Sequence, residues 1–466
     1  MVLQQNAEVN FWGKADPSEK VTILVSWQKK KYDIVANNFG NWQIKIKTFR
    51  ANFDKQTIEI EGENKIVLNN VLIGEVWFSS GQSNMELPMK RVTDADKEIN
   101  EAIFPFIRLF NVKKKKSDQP ETDIPDGSLW LECAPESVKE FSAMSYYFAR
   151  KMQLELNVPI GIISANWGGT GAECWTPAEK MKDNTVLKNI YSRWEKWSLD
   201  YKNDSISFTE AKKNNPKLEE PKSVYMMTRP HRRPSVLFNA MVNPLIPYTI
   251  KGVIWYQGTS NRDWANEYLE QMKALIYGWR AHWKLGDFPF YFLQLTAYKY
   301  SDSNLAAIIR ENQLKTLEVP NTDMCPTMDI GDLNELHVPN KLPYGERLAN
   351  IALTNTYKKQ IPFCGPLFQE AIIIGNKIEV SFKYNNGLIF KGDKLNDIFI
   401  AGKDKKFVKA SAFIENNKLI VFSPEISEPI SVRYAWNNTG SANLFNKDNL
   451  PASPFRTDSW ENIIIE

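Results

Sequence analysis

Hydrophobic and polar positions change rhythm twice along the 466 residues. Up to about residue 73 the apolar positions form short β-branched runs with partial alternation: Val21-Thr22-Ile23-Leu24-Val25, Trp42-Gln43-Ile44-Lys45-Ile46 and Thr57-Ile58-Glu59-Ile60, with a turn at Asn38-Phe39-Gly40. This predicts a small β-sandwich over residues 1–73. From 74 onward the apolar runs become compact: Glu75-Val76-Trp77-Phe78, Ile160-Gly161-Ile162-Ile163, Gly252-Val253-Ile254-Trp255-Tyr256 and Phe290-Tyr291-Phe292-Leu293. Gly-rich loops and stretches of helical spacing follow them, as in a parallel sheet covered by helices, so residues 74–360 read as an α/β domain. Helices are predicted at about 138–156, 265–284, 304–317 and 343–356. The last opens on Pro343 and carries Leu348, Ile351 and Ala352 at i, i+3 and i+4.

Between about 195 and 235 the chain turns polar and basic, with Lys212-Lys213-Asn214-Asn215-Pro216, which reads as a long excursion or lid. From 361 to 466 β character returns in Ala371-Ile372-Ile373-Ile374, Lys377-Ile378-Glu379-Val380, Leu419-Ile420-Val421-Phe422 and Ile430-Ser431-Val432-Arg433-Tyr434. Gly375-Asn376 and Glu415-Asn416-Asn417 mark its turns.

Composition narrows the function classes. Hydrophobic residues make up 43% and charged residues 24%, enough apolar material for packed cores. Lys+Arg at 58 against Asp+Glu at 55 gives a net charge of +3, too balanced for nucleic acid or an anionic membrane to be the main partner. The four cysteines, Cys133, Cys174, Cys325 and Cys364, lie far apart with no Cys-x-x-Cys, so zinc-ribbon and thioredoxin-type motifs have no support. No apolar run approaches the roughly 20 residues that span a bilayer. Met1-Val2-Leu3-Gln4-Gln5 lacks the basic start and apolar core of a signal peptide.

Any imidazole chemistry must use His231, His282 or His337. His231, in Arg229-Pro230-His231-Arg232-Arg233-Pro234, reads as part of a solvated turn, and His282 as a residue near a helix end. His337 has acidic company in Asp329-Ile330-Gly331-Asp332-Leu333-Asn334-Glu335-Leu336-His337, and a carboxylate can orient a catalytic imidazole. Convergence of all three histidines on a metal is disfavoured, since they lie on unrelated segments.

Three predicted strands run into polar loops, where open α/β sheets bind ligands. In Ser79-Ser80-Gly81-Gln82-Ser83-Asn84-Met85-Glu86 a serine next to glycine can present its hydroxyl at the sheet edge; a helix N-cap is the plainer use. In Asn166-Trp167-Gly168-Gly169-Thr170-Gly171 paired glycines let backbone N–H groups approach an oxyanion, or simply make a turn. In Tyr256-Gln257-Gly258-Thr259-Ser260-Asn261 the Asn261 amide is a possible oxyanion donor or an Asx-turn residue.

Together, Gly74-Glu75-Val76-Trp77-Phe78-Ser79-Ser80-Gly81-Gln82-Ser83-Asn84-Met85, Trp167-Gly168-Gly169-Thr170, Trp255-Tyr256-Gln257-Gly258-Thr259-Ser260-Asn261 and Asp329-Ile330-Gly331 leading to His337 closely resemble the sialate O-acetylesterase family, part of the SGNH/GDSL hydrolases. The resemblance runs over nearly the whole chain, ending in Leu450-Pro451-Ala452-Ser453-Pro454-Phe455-Arg456. It implies a three-layer, flavodoxin-like α/β domain flanked by β-sandwich segments. It further implies Ser83 as nucleophile, His337 as general base, and Gly169 and Asn261 as oxyanion donors with the Ser83 N–H. Gln82, Gln257 and Trp167 are further binding candidates. An acetylated sugar is the implied substrate and no cofactor is required; relatives acting on glycans are commonly exported, which suggests a periplasmic or secreted location.

Two departures stand out. Thr259 occupies a position where the family usually carries Glu, and Asn334 stands three residues before the histidine where the aspartate is common. Asp332, ranked first, and Glu335 are the nearest acids, with Asp329 further back, and a Ser–His dyad leaning on carbonyls is the other arrangement. The preferred substrate is acetylated sialic acid, with acetylxylan or another glycan as the alternative. A catalytically degenerate carbohydrate-binding protein is the reading of a different class.

Overall fold

The computed structural model describes residues 1–302 and 304–460. The chain divides into two compact units: Met1–Ile254 with Ala274–Phe290, and Trp255–Lys273 with the chain from Tyr291 on. The fold is mixed α/β, with a central sheet and separate small antiparallel sheets.

In the first unit, the predicted N-terminal strands form. Glu8–Lys14 pairs antiparallel with Asn41–Lys47, and Lys20–Val25 pairs with both Lys31–Val35 and Gln56–Glu61. Gln56–Glu61 pairs in turn with the start of a 17-residue strand, β1 (Lys65–Gly81). β1 does not stop at residue 73. Its burial switches from largely exposed to continuous at Val71, where it leaves the antiparallel partner and becomes a strand buried on both faces. From there it pairs parallel with Val2–Gln4 through Leu72, Ile73 and Gly74. The buried carboxylate of Glu75 accepts from Gln4 Nε2 at 2.8 Å and Gln5 Nε2 at 2.6 Å, which ties the first residues of the chain to β1.

Beside β1 lie β2 (Phe104–Asn111), its antiparallel partner β3 (Trp130–Cys133), β4 (Ile160–Asn166) and the start of β5 (Gly252–Tyr256), in the order β5-β1-β4-β2-β3. Helix α1 (Ser83–Glu86) follows β1 directly. Helix α2 (Ala143–Leu156) is capped by the Ser142 side chain, which accepts from the Ser145 N–H, and it packs against β4 and β2. Residues 195–235 are more ordered than an excursion: α3 (Asn189–Asn214) runs 26 residues. Its first turns contribute Ile190 and Trp194 to a small core with Met181, Leu187, Met226 and Ala274.

Helix α4 (Tyr268–Trp283) carries His282 in its last turn, and that ring nitrogen lies 2.9 Å from Glu179 Oε1. The second unit carries β6 (Phe290–Leu293) beside β7 (Thr322–Cys325), with α5 (Leu305–Lys315) and α6 (Leu342–Asn355). Its C-terminal strands form two four-stranded antiparallel sheets around a core that includes Val380, Ile400, Leu419, Val432 and Tyr434. The hairpin turns fall at Gly375-Asn376 and at Asn416-Asn417, the latter with φ of 51° and 59°, the positive values that suit Asn in a two-residue hairpin. All four cysteines are buried and free.

Candidate active site

β1 and β4 are parallel neighbours in exact step, with Ser79 opposite Ser164, Ser80 opposite Ala165 and Gly81 opposite Asn166. Parallel strands that end level release their chains into adjacent loops, so the serine loop and the Gly-Gly loop emerge side by side. The Trp167 N–H donates to the Gly81 carbonyl at 3.2 Å, extending the ladder one step into the loops.

Three serines cluster at the end of β1, and burial separates them. The hydroxyls of Ser79 and Ser145 share a hydrogen bond of 2.6 Å, and Ser80 donates to the Ala165 carbonyl at 2.7 Å; both serines are fully buried. Ser83 is half-exposed. It is not the N-cap: Gln82 holds that position in extended conformation, and its carbonyl accepts from the Met85 and Glu86 N–H groups at 2.8 and 2.9 Å. The Ser142 hydroxyl donates to the Met85 carbonyl at 2.6 Å and fixes the short helix from its far side.

The Gly-Gly loop closes on this helix. A Cβ on Gly168 would sit 3.2 Å from Ser83 Cβ, so the bare backbone is what allows the close approach. The Gly168 N–H donates to Glu86 Oε2 at 2.5 Å, and the other Glu86 oxygen pairs with Lys114. Gly169 has φ of +72°, a left-handed conformation natural to glycine. The Thr170 hydroxyl donates to the Trp167 carbonyl at 2.7 Å and itself accepts from the Trp175 indole at 3.0 Å. Trp175 is wholly buried and serves packing, whereas Trp167 is half-exposed.

His231 departs from its reading as a solvated turn residue. It is half-buried and stacked flat on Trp167, centroids 4.8 Å apart at 3°. Burial first, then the charges of Arg232, Lys114, Arg229 and Lys116, push its imidazole below the usual range. Arg232 lies against Gly169 so closely that any side chain there would strike its Nη2. Sequence reasoning missed this meeting of His231 and Arg232 with Trp167 and Gly169: the Pro-punctuated basic run was visible, but not the long-range contact that buries it.

The remaining candidates lie in the second unit. Asn261 Oδ1 accepts from Gln257 Nε2 at 2.7 Å, which turns the amide's oxygen toward Gln257. Gln257 is in turn held by Tyr268, whose hydroxyl donates to its side-chain oxygen at 2.9 Å, and by Gln313, whose Nε2 donates to its carbonyl at 3.2 Å. Thr259 Oγ1 lies 3.5 Å from the Tyr300 hydroxyl.

His337 is half-exposed on the irregular segment between β7 and α6. Asp332 Oδ1 accepts from the backbone N–H groups of Asn334 at 2.8 Å and Glu335 at 3.2 Å, and Glu335 Oε1 accepts from the His337 N–H at 2.8 Å. Both acids therefore shape the turn that carries the histidine. Asp329 is committed elsewhere, in a two-pronged pair with Arg347 at 2.7 and 2.6 Å. Further along, burial lowers the Lys341 ammonium pKa to about 7, against an opposing pull from Glu335. No group of three or more His, Cys, Asp or Glu residues suited to a metal is present among the described residues. Among those same residues, no helix is long and apolar enough to cross a membrane.

Comparison with known proteins gives consistent findings. The profile of the family described as carbohydrate esterase, sialic acid-specific acetylesterase, matches residues 229–354. Mouse sialate O-acetylesterase is 26% identical, the alignment covering 98% of this chain and 92% of the relative; the human enzyme is 27% identical, covering 98% and 90%. The crystal structure of a carbohydrate acetylesterase from Xanthomonas citri matches with a TM-score of 0.85 at 31% identity, over 98% of this chain and 97% of that one.

Proposed function

Because the chain belongs to the sialate O-acetylesterase family of carbohydrate esterases, we propose that it removes O-acetyl groups from acetylated sialic acids through an acetyl-Ser83 intermediate. The observation that carries this reading is the close approach of the Gly168-Gly169 backbone to Ser83, the one serine of its block whose hydroxyl is not buried in the strand.

In the proposed cycle Ser83 Oγ attacks the acetyl carbonyl carbon as His337 takes its proton. The negative charge then growing on the carbonyl oxygen is held by the N–H groups of Ser83 and Gly169 and by the Asn261 amide. Collapse breaks the bond to the sugar oxygen, which takes the proton from His337 and leaves as an alcohol. Water, deprotonated by His337, then attacks the acetyl-enzyme and releases acetate and Ser83. The Ser83 and His337 roles are carried by family likeness. Asp332 and Glu335 contribute by fixing the turn on which the histidine sits.

The X. citri match supports a second reading of the sugar, since that relative is described only as a carbohydrate acetylesterase: an acetylated xylan or other neutral glycan. Acetate release from O-acetylated sialic acid and from acetylated xylo-oligosaccharide, measured side by side, decides between them. A larger kcat/KM on the sialic acid supports the proposal, and a reversed preference moves the enzyme to neutral glycans.

A further inference from the structure

The Ser83 face gathers cations, and three of them are paired. Lys114 pairs with Glu86, Arg229 with Glu220 at 3.0 Å, and Arg233 with Asp118 at 2.5 Å. Among the described residues, no carboxylate lies within ion-pair distance of Arg232, and its Nε is buried without a hydrogen-bond partner. A half-buried guanidinium left without a counter-charge carries a desolvation cost that an arriving anion relieves.

The group is also held in place. Its Cζ lies 4.6 Å from the centre of the Tyr225 ring, over which Arg229 Cζ also sits at 4.1 Å. Its Nη2 rests on Gly169, the residue next to the one that packs on Ser83. The Trp167–His231 stack contributes a flat, partly apolar surface from the same loops, with Lys114 5.4 Å from the Trp167 ring. A planar donor fork beside an aromatic surface suits a carboxylate attached to a sugar ring.

We propose that Arg232 is an anion subsite that binds the carboxylate of an acidic sugar while its acetyl ester lies at Ser83. This rests on the acetylesterase reading for the reaction, but the binding it describes can be measured without turnover. It makes an acidic sugar, rather than neutral xylan, the substrate class of this face.

The test uses the full chain and non-ester ligands: N-acetylneuraminic acid, its methyl ester and galacturonic acid, titrated by NMR or calorimetry. The wild type is expected to bind the free acid roughly 10- to 100-fold more tightly than the methyl ester, the range for a charge-assisted pair. Arg232→Gln is expected to erase that preference. Arg232→Lys keeps the charge but loses the fork, so it should retain only part of it, and it carries the test if the Gln variant does not fold. No acid-over-ester preference in the wild type, or an undiminished one in Arg232→Gln, overturns the inference. Equal affinity for galacturonic acid supports the carboxylate subsite and removes its link to sialic acid. Aryl acetate hydrolysis by wild type and Ser83→Ala is read separately: equal rates would sink the esterase mechanism while leaving the binding result standing.

Discussion

The Ser83 face of one unit and the His337 segment of the other are built by opposite means. Ser83 stands one residue beyond Gln82 at the end of a buried parallel ladder, and its surroundings are fixed mainly by backbone register and by serine hydroxyls turned into the fold. His337 sits on irregular chain held by side chains: Asp332 and Glu335 on backbone amides, Tyr344 donating to the Ile330 carbonyl at 2.8 Å, and Arg347 gripping Asp329. A ladder tolerates the loss of one side chain, whereas a loop stitched by carboxylates and a guanidinium depends on each stitch. The serine side should therefore lose activity without losing stability, and the histidine side should lose both together.

The sharpest test of that contrast is Ser83→Ala, which is expected to lower aryl acetate hydrolysis by at least ~10³-fold. Its melting temperature should stay within about 2 °C of the wild type, because no ladder contact is removed. A large drop in melting temperature would erase the distinction.

Next in size is Asp329→Ala. It strands a guanidinium whose side chain is 10% exposed, so chemical denaturation should show a loss of about 3–5 kcal/mol, with kcat falling as the His337 segment loosens. Full stability in this variant would show that the segment does not depend on its ion pair.

Lys341 adds a pH signature to the same side. Its folded pKa of about 7 lies below the ordinary lysine value, so between the two the unfolded chain binds more protons and stability rises with pH. From pH 7 to 9 the gain should be about 1–3 kcal/mol, lost again as pH falls to 7. Lys341→Met should flatten that slope, and an unchanged slope would assign the pH dependence to other groups.

The smallest effect is expected from Asp332→Asn. The amide oxygen can still accept from the Asn334 and Glu335 N–H groups, so kcat should fall less than tenfold. A loss near 10⁴-fold would instead make Asp332 the acid that orients the imidazole.

The same contrast explains what the sequence made legible. Compact β-branched runs announced β1, β4 and the C-terminal strands, because strand burial follows from local apolar pattern. The predicted helix at 343–356 forms at Leu342–Asn355 for the same reason. Helix α3 went unseen: Ile190, Trp194 and Trp197 mark an apolar face only in its first turns, and the polar remainder reads as a loop. His231 was misplaced because its stacking partner, Trp167, lies 64 residues away in sequence. Likewise the hydrogen bonds from Asp332 and Glu335 to the backbone reflect a turn geometry that composition does not encode.

The 17-residue β1 has a consequence for how this architecture can be cut and recombined. At about 3.3 Å per residue it would extend roughly 55 Å, begun among the N-terminal strands, turned at Asn70 (φ 57°) where its antiparallel pairing shifts register, and finished two residues before Ser83. The sandwich is therefore not a detachable accessory: excising it removes the root of the strand that delivers the nucleophile. Gene fusions that swap this front module for another should yield insoluble protein unless the graft junction preserves β1 intact.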